Sequence, residues 1–255
     1  MRNHPFRVVL PLWSCLLVLG AGGSAVCGIE EEPPRPADAP RGEPTEANWA
    51  GTVEFPAGET PVRLFNGQDF TGWEGHTDRY FSVRDGVIVA RNDRQNAPPV
   101  STYLLTTKDY RNFRLIFEGR LVESKMHSGI ALWGAKAPDK GDPYTYRGHL
   151  VMFPSDWGFY DLYGRNLIYK DDGRAKRADQ VGQWNRMEIL AIGQRIRLVV
   201  NGQEVADWTD PRPELCQAGP IGLQLHSNNV PQEVHFRGLI LAENPEDRLI
   251  TAGAP

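Results

Sequence analysis

From Val62 onward the apolar residues recur at every second position, and that period commits the body of the chain to strands. Successive side chains of an extended backbone leave opposite faces, so alternation marks a ribbon with one buried face. Phe113, Leu115, Phe117 and Leu121 alternate with Arg114, Glu118 and Arg120. Ile221, Leu223 and Leu225 alternate with Gly222, Gln224 and His226. Asp85-Gly86 and Asn201-Gly202 each sit between such runs, and these dipeptides readily take the positive φ angles of a tight hairpin turn. Val234 and Phe236 lead to Leu239 and Leu241, a phase slip near Gly238 that predicts a bulge. No stretch of ten or more residues carries a capped helical stripe, and 26 Gly with 20 Pro punctuate the chain heavily. Many short strands between turns predict an all-β fold, a two-sheet antiparallel sandwich of the jelly-roll kind. No internal repeat suggests a propeller or solenoid.

The two ends read differently. Arg2 and Arg7 precede the apolar stretch Val8 to Leu19, and Gly23-Ser24-Ala25 supplies small residues for cleavage, so 1–25 is expected to be an export signal. The apolar run is too short for a membrane span, which needs about 20 residues. Cys27 offers an alternative, the lipidated first residue of a bacterial lipoprotein, although Ser24 and Val26 stand where that signal usually has Leu and a small residue. Cys27–Cys216 is the one disulfide that could survive processing, with a buried, idle Cys216 the plainer expectation. Residues 26–61 are acidic and Pro-rich and read as a flexible tether. The folded domain is expected over 62–243, with 244–255 a flexible tail. The protein is thus expected to be exported, to the periplasm, cell envelope or exterior.

Several chemistries are excluded. A net charge of −4 gives no concentrated basic footprint for nucleic acid. There is no phosphate-binding glycine loop, dinucleotide fingerprint or nucleophile elbow. No paired His or Cys spacing signals a metal. Asp171-Asp172-Gly173 lacks the other ligands of a calcium loop and is expected to be a solvated hairpin turn.

One run stands out: Trp157, Phe159, Asp161, Tyr163 and Arg165 share parity, and on a regular strand they would present aromatic plates, a carboxylate and a guanidinium on one face. Such a face suits a sugar, whose C–H surfaces pack on rings while its hydroxyls take hydrogen bonds. Phe159 and Tyr163 are equally good core residues. On the strand near His127 to Trp133, small Gly129 and Ala131 share a face with those two aromatics, leaving room for a ligand. Gln224 and His226 extend the face, which points to a concave sheet lined for a polar ligand. His149 lies in a run apolar on both parities, so it is either a general base or a hydrogen-bonded core group.

Phe65-Asn66-Gly67-Gln68-Asp69-Phe70-Thr71-Gly72-Trp73, Asp85-Gly86-Val87-Ile88, Leu105 to Phe113, His127-Ser128-Gly129-Ile130, Gly182-Gln183-Trp184-Asn185, Val200-Asn201-Gly202 and Gly219 to His226 together resemble, in order, the 3-keto-disaccharide hydrolase domain family. The resemblance covers 62–241. It implies a sandwich of the concanavalin-like lectin/glucanase type and cleavage of glycosides whose C3 hydroxyl has become a ketone. The ketone acidifies C2–H; a base removes that proton, the C1 substituent leaves, and water adds to the enone. For these roles the resemblance puts forward His149, Asp161 or His226 as base, and Arg165 or a divalent cation at the enolate oxygen, with His127, Trp133, Trp157, Tyr163 and Gln224 holding the sugar. Leu150, Met152 and Trp133 stand where many members are polar, which leaves open a carbohydrate-binding module without catalysis, or a structural envelope protein that merely keeps the fold. A two-carboxylate glycosidase is disfavoured, because Asp156 and Asp161 differ in parity.

Overall fold

The computed structural model describes residues 53–123 and 126–253. In chain order its strands are β1 (Val62–Arg63), β2 (Trp73–Glu74), β3 (Phe81–Arg84), β4 (Val87–Asn92), β5 (Thr102–Tyr110), β6 (Phe113–Glu123), β7 (Ser128–Lys136) and β8 (Tyr146–Phe153). There follow β9 (Phe159–Asp161), β10 (Asn166–Tyr169), β11 (Asn185–Ile192), β12 (Arg195–Val200), β13 (Gln203–Thr209), β14 (Gly219–Leu225) and β15 (Gln232–Glu243). One sheet runs β13-β12-β11-β6-β15-β4-β3, with β1 also on β15; the other runs β10-β9-β8-β7-β14-β5-β2. Every pairing is antiparallel. The fold is the predicted two-sheet sandwich.

The alternation explains the core directly. Phe113, Leu115 and Phe117 of the first sheet face Leu132, Val151 and Leu223 of the second in one buried cluster. The hairpin residues Asp85, Gly86, Asn201 and Gly202 all take positive φ, as their dipeptides demand. Gly238 has φ +63°, and the β15–β6 register slips between Arg237 and Ile240, which lets Phe236 and Leu239 both turn inward. Asp171-Asp172-Gly173 is not a hairpin turn. Asp171 accepts the amides of Ala175 and Lys176 at 3.0 and 3.2 Å and so starts the single-turn helix α1 (Arg174–Ala178).

The far face of the first sheet is covered by both ends of the domain. Val53, Phe55 and Ile250 pack on Ile116 and Ile240. Arg114, with none of its side chain exposed, is clamped by Glu59 at 2.8 and 3.0 Å and by Glu188. Glu188 in turn accepts Thr251 N and Oγ1 at 2.8 and 2.7 Å. The expected tether therefore ends before Glu59, and the chain just beyond Glu243 is fixed rather than free. Sequence could not show this, because the ion pairs join residues 55 and more positions apart. The expected export signal, Cys27 and most of the tether lie outside the described residues. Cys216 is fully buried.

Candidate functional site

The 157–165 run is not one strand. A 3-10 turn covers Ser155–Trp157, Gly158 follows with φ +78°, β9 spans only three residues, and Arg165 has φ +59°. Parity is lost at each break. Phe159 and Asp161 turn into the sandwich, each 1% exposed, whereas Trp157 and Tyr163 stay outside, 41% and 40% exposed. The expectation of a single ligand face across this run is corrected accordingly. Trp133 is corrected too. The β7–β8 register slips between Leu132 and Ala135, Trp133 takes φ +51°, and its indole swings into the core to donate to Arg111 O at 2.7 Å.

His149 also points inward. Its Nε2 lies 2.6 Å from Asp210 Oδ2, with neither side chain exposed. Arg212 bridges Asp210 Oδ1 at 3.0 Å to Asp161 Oδ2 at 3.1 Å. Burial pushes the Asp161 carboxyl up, but Gly164 N–H, Arg212 and Asn166 outweigh it and hold the group below its usual range. Cys216 completes a group whose metal-type atoms lie within 4.8 Å of one another. Asp210 is already neutralised by Arg212, so the cluster is a buried ion-pair network that ties the 210–216 segment to β8 and β9. It reaches no solvent through His149, and the base role expected of His149 and Asp161 has no access to a substrate from there.

The outer face of the second sheet gathers the others. Extending the β14 register past Leu225 sets His226 beside His127 on one side and Ser101 on the other. The two imidazole centroids are 4.2 Å apart, and Trp157 lies 4.4 Å beyond His127. His226 Nδ1 meets Ser101 Oγ at 3.2 Å, and that oxygen also accepts Ser227 N–H at 3.2 Å. Two register positions further along, Gln224 Nε2 donates to Tyr103 Oη at 2.9 Å. His127 Nδ1 and Gln224 Oε1 are buried without a partner, two polar atoms aimed at this same row. Next to the row lies an apolar floor of Leu105, Ala131, Leu150 and Met152, with Tyr160 and Leu162 packed on it. Gly129 is needed here, since a Cβ would come within 2.8 Å of the Val151 carbonyl oxygen.

A hollow of about 180 Å³ opens over this face. Ser101, Tyr103, Lys140, Tyr146, Arg165 and Gln224 are among its lining residues, and no Asp or Glu is. Burial, then His226 and Arg165, push His127 down to about 4; burial and Arg165 lower His226 likewise. Both imidazoles are therefore neutral near pH 7. A hard divalent cation does not fit, because it wants several carboxylate or carbonyl oxygens and would meet Arg165 and Lys140 instead. Of the residues expected at the site, His127, Trp157, Arg165, Gln224 and His226 converge, while Tyr163 lies apart on the β9–β10 hairpin. Tyr103, Ser101 and Lys140 were missed; only the parity that Tyr103 shares with Leu105 could have hinted at it.

Residues 60–241 match the model of the 3-keto-alpha-glucoside-1,2-lyase-like domain. The chain belongs to this family. Two Parabacteroides distasonis structures named as candidate glycosyl hydrolases are similar in fold. One is 20% identical with a TM-score of 0.55, over 72% of this chain and 93% of its own. The other is 19% identical with a TM-score of 0.52, over 71% and 98%. Among curated proteins none matches the chain.

Proposed function

We propose that this family member cleaves 3-keto-glycosides on the outer face of its second sheet. The observation that carries the reading is the His226–His127 pair, joined through Ser101 to a neighbouring hollow that Arg165 and Gln224 line and no carboxylate enters. A sugar ring stacked near Trp157 presents C2–H to the imidazole row. With Nδ1–H of His226 donating to Ser101 Oγ, Nε2 carries a free lone pair and takes the C2 proton. Negative charge then develops on the C3 oxygen, where the Arg165 guanidinium stabilises it. The C1–O bond breaks, the departing oxygen recovers a proton, and water adds to the enone. Turnover of a 3-keto-glucoside by the wild type and the His226→Ala variant tests this.

The electrostatics give a pH signature. Because burial and Arg165 disfavour the imidazolium forms, the base stays unprotonated below the ordinary histidine range near 6.5. The acid limb of kcat/KM is expected below pH 6.5. Arg165→Gln removes a like charge, raises both imidazoles and moves that limb upward, besides slowing the reaction. An acid limb that stays put in this variant would contradict the assignment.

A second reading has its own support. The apolar Leu150 and Met152 supply packing surface and no chemistry, as befits a module that binds sugar without cleaving it. Binding of a 3-keto-glucoside with no product formed would favour it.

We further infer export. The described residues hold no helix long and apolar enough to cross a membrane, and Met1 to Ala25 has the make-up of a cleaved signal. The mature N-terminus, sequenced from the native host, is expected just after Ala25, or at a lipidated Cys27; an intact Met1 would contradict export.

A further inference from the structure

The elimination proposed above uses one cation, Arg165, yet the hollow has two. Lys140 reaches it from the 3-10 turn Pro138–Lys140 and lies against the same 162–165 hairpin, with Nζ donating to Leu162 O at 3.0 Å. That bond takes one of the three ammonium hydrogens and neutralises no charge. Arg165 has no hydrogen bond or ion pair with a carboxylate. Several guanidinium groups elsewhere in the domain are closely paired with carboxylates, as Arg84 with Glu233, Arg195 with Asp207 and Arg237 with Glu118. Along the Lys140 segment Asp139 is paired with Arg147 at 2.9 Å, and Asp142 is taken by His76 at 2.8 Å, by Thr102 Oγ1 at 3.1 Å and by Tyr144 N at 2.8 Å. Asp161, at the start of the hairpin, is bound to Arg212 on the inner side. A chain with net charge −4 thus keeps a hollow whose charged lining groups, among the described residues, are both cations. Low-dielectric walls of Tyr103, Tyr146 and Leu162 focus that field on whatever enters.

We propose that the hollow selects an anionic glycoside, one whose sugar or leaving group carries a carboxylate that pairs with the Lys140 ammonium. This rests on the carbohydrate reading of the same face and narrows its substrate class. A carboxylate takes the two N–H donors of Lys140 left over from Leu162, in charge-assisted hydrogen bonds. Arg165 remains at the enolate oxygen, on the same wall.

Calorimetric titration of the His226→Ala variant, which is expected not to turn them over, separates the possibilities with five probes: the 3-keto forms of methyl glucoside, methyl glucuronide, phenyl glucoside and 4-carboxyphenyl glucoside, and sodium sulfate. At least one acidic glycoside is expected to bind about tenfold tighter than its neutral counterpart, with the advantage shrinking as salt rises. Which of the two does so identifies whether the carboxylate belongs to the sugar or to the leaving group. Lys140→Gln keeps an N–H for Leu162 O but loses the charge, and is expected to abolish the preference of acidic over neutral glycosides; Lys140→Arg is expected to retain it. Equal affinities for acidic and neutral glycosides, or a preference that survives Lys140→Gln, would overturn the inference and leave the sugar reading standing. Sulfate bound through Lys140 with no glycoside bound would overturn the sugar reading, and with it the glycoside part of this inference. No binding of any probe would overturn both.

Discussion

Replacing His226 by Ala is expected to lower kcat for a 3-keto-glucoside by roughly 10² to 10⁴-fold, the usual worth of a positioned general base, without unfolding the protein. The side chain stands at the end of β14 on the outer face, half-buried between Ser101 and His127, and bears no part of the inner core. Only a small stack and one hydrogen bond are lost from the fold. His127→Ala is expected to act in the same direction but less strongly, since it removes the neighbour that His226 packs on. His149→Ala should behave in the opposite way. It strips one of two side-chain partners from a buried Asp210, leaving Arg212, and so costs stability first, with activity falling only as far as folded protein is lost. Kinetics and melting curves on the three variants check this together. Retention of kcat within about threefold in His226→Ala would remove the proposed base.

The second large effect concerns the fold. Arg114→Met is expected to cost about 3–5 kcal/mol, because one buried guanidinium answers two carboxylates, Glu59 and Glu188, and its loss leaves both without a counter-charge. That is a sizeable part of the roughly 5–15 kcal/mol that holds an ordinary domain together. For a domain of this size the melting temperature should fall by roughly 10 °C or more. The triple change of Arg114→Met with Glu59→Gln and Glu188→Gln removes the stranded charges and is expected to recover much of the loss. A melting temperature unchanged by Arg114→Met would show that the clasp formed by Glu59 and Thr251 on Glu188 carries little.

These expectations show what the chain discloses by itself and what it hides. The sandwich was legible because burial on one face writes itself into alternate residues, and because Asp85-Gly86 and Asn201-Gly202 have few alternatives to a tight turn. Gln224, His226 and His127 were legible as neighbours on one face for the same reason: they lie on or next to regular strands, beside glycines. Alternation fails wherever the backbone breaks step. One extra residue after Leu132 turns Trp133 inward, and the turn through Gly158 reverses the sense of the run that follows, carrying Phe159 and Asp161 away from the outer face. Such slips leave no mark in hydrophobic patterning. Arg212, Asp210 and the Arg114 clasp were invisible for a different cause, since a charged residue that finds a distant partner looks in sequence like one bound for water.

All of the proposed chemistry depends on which face of the second sheet meets the sugar. The imidazole resonances of the six histidines, followed by NMR during titration with a 3-keto-glucoside, read that directly. His127 and His226 are expected to shift together with ligand, while His149, sealed between the sheets against Asp210, stays where it is. A response at His149 with His127 and His226 silent would place the sugar on the wrong side of the sheet for this mechanism.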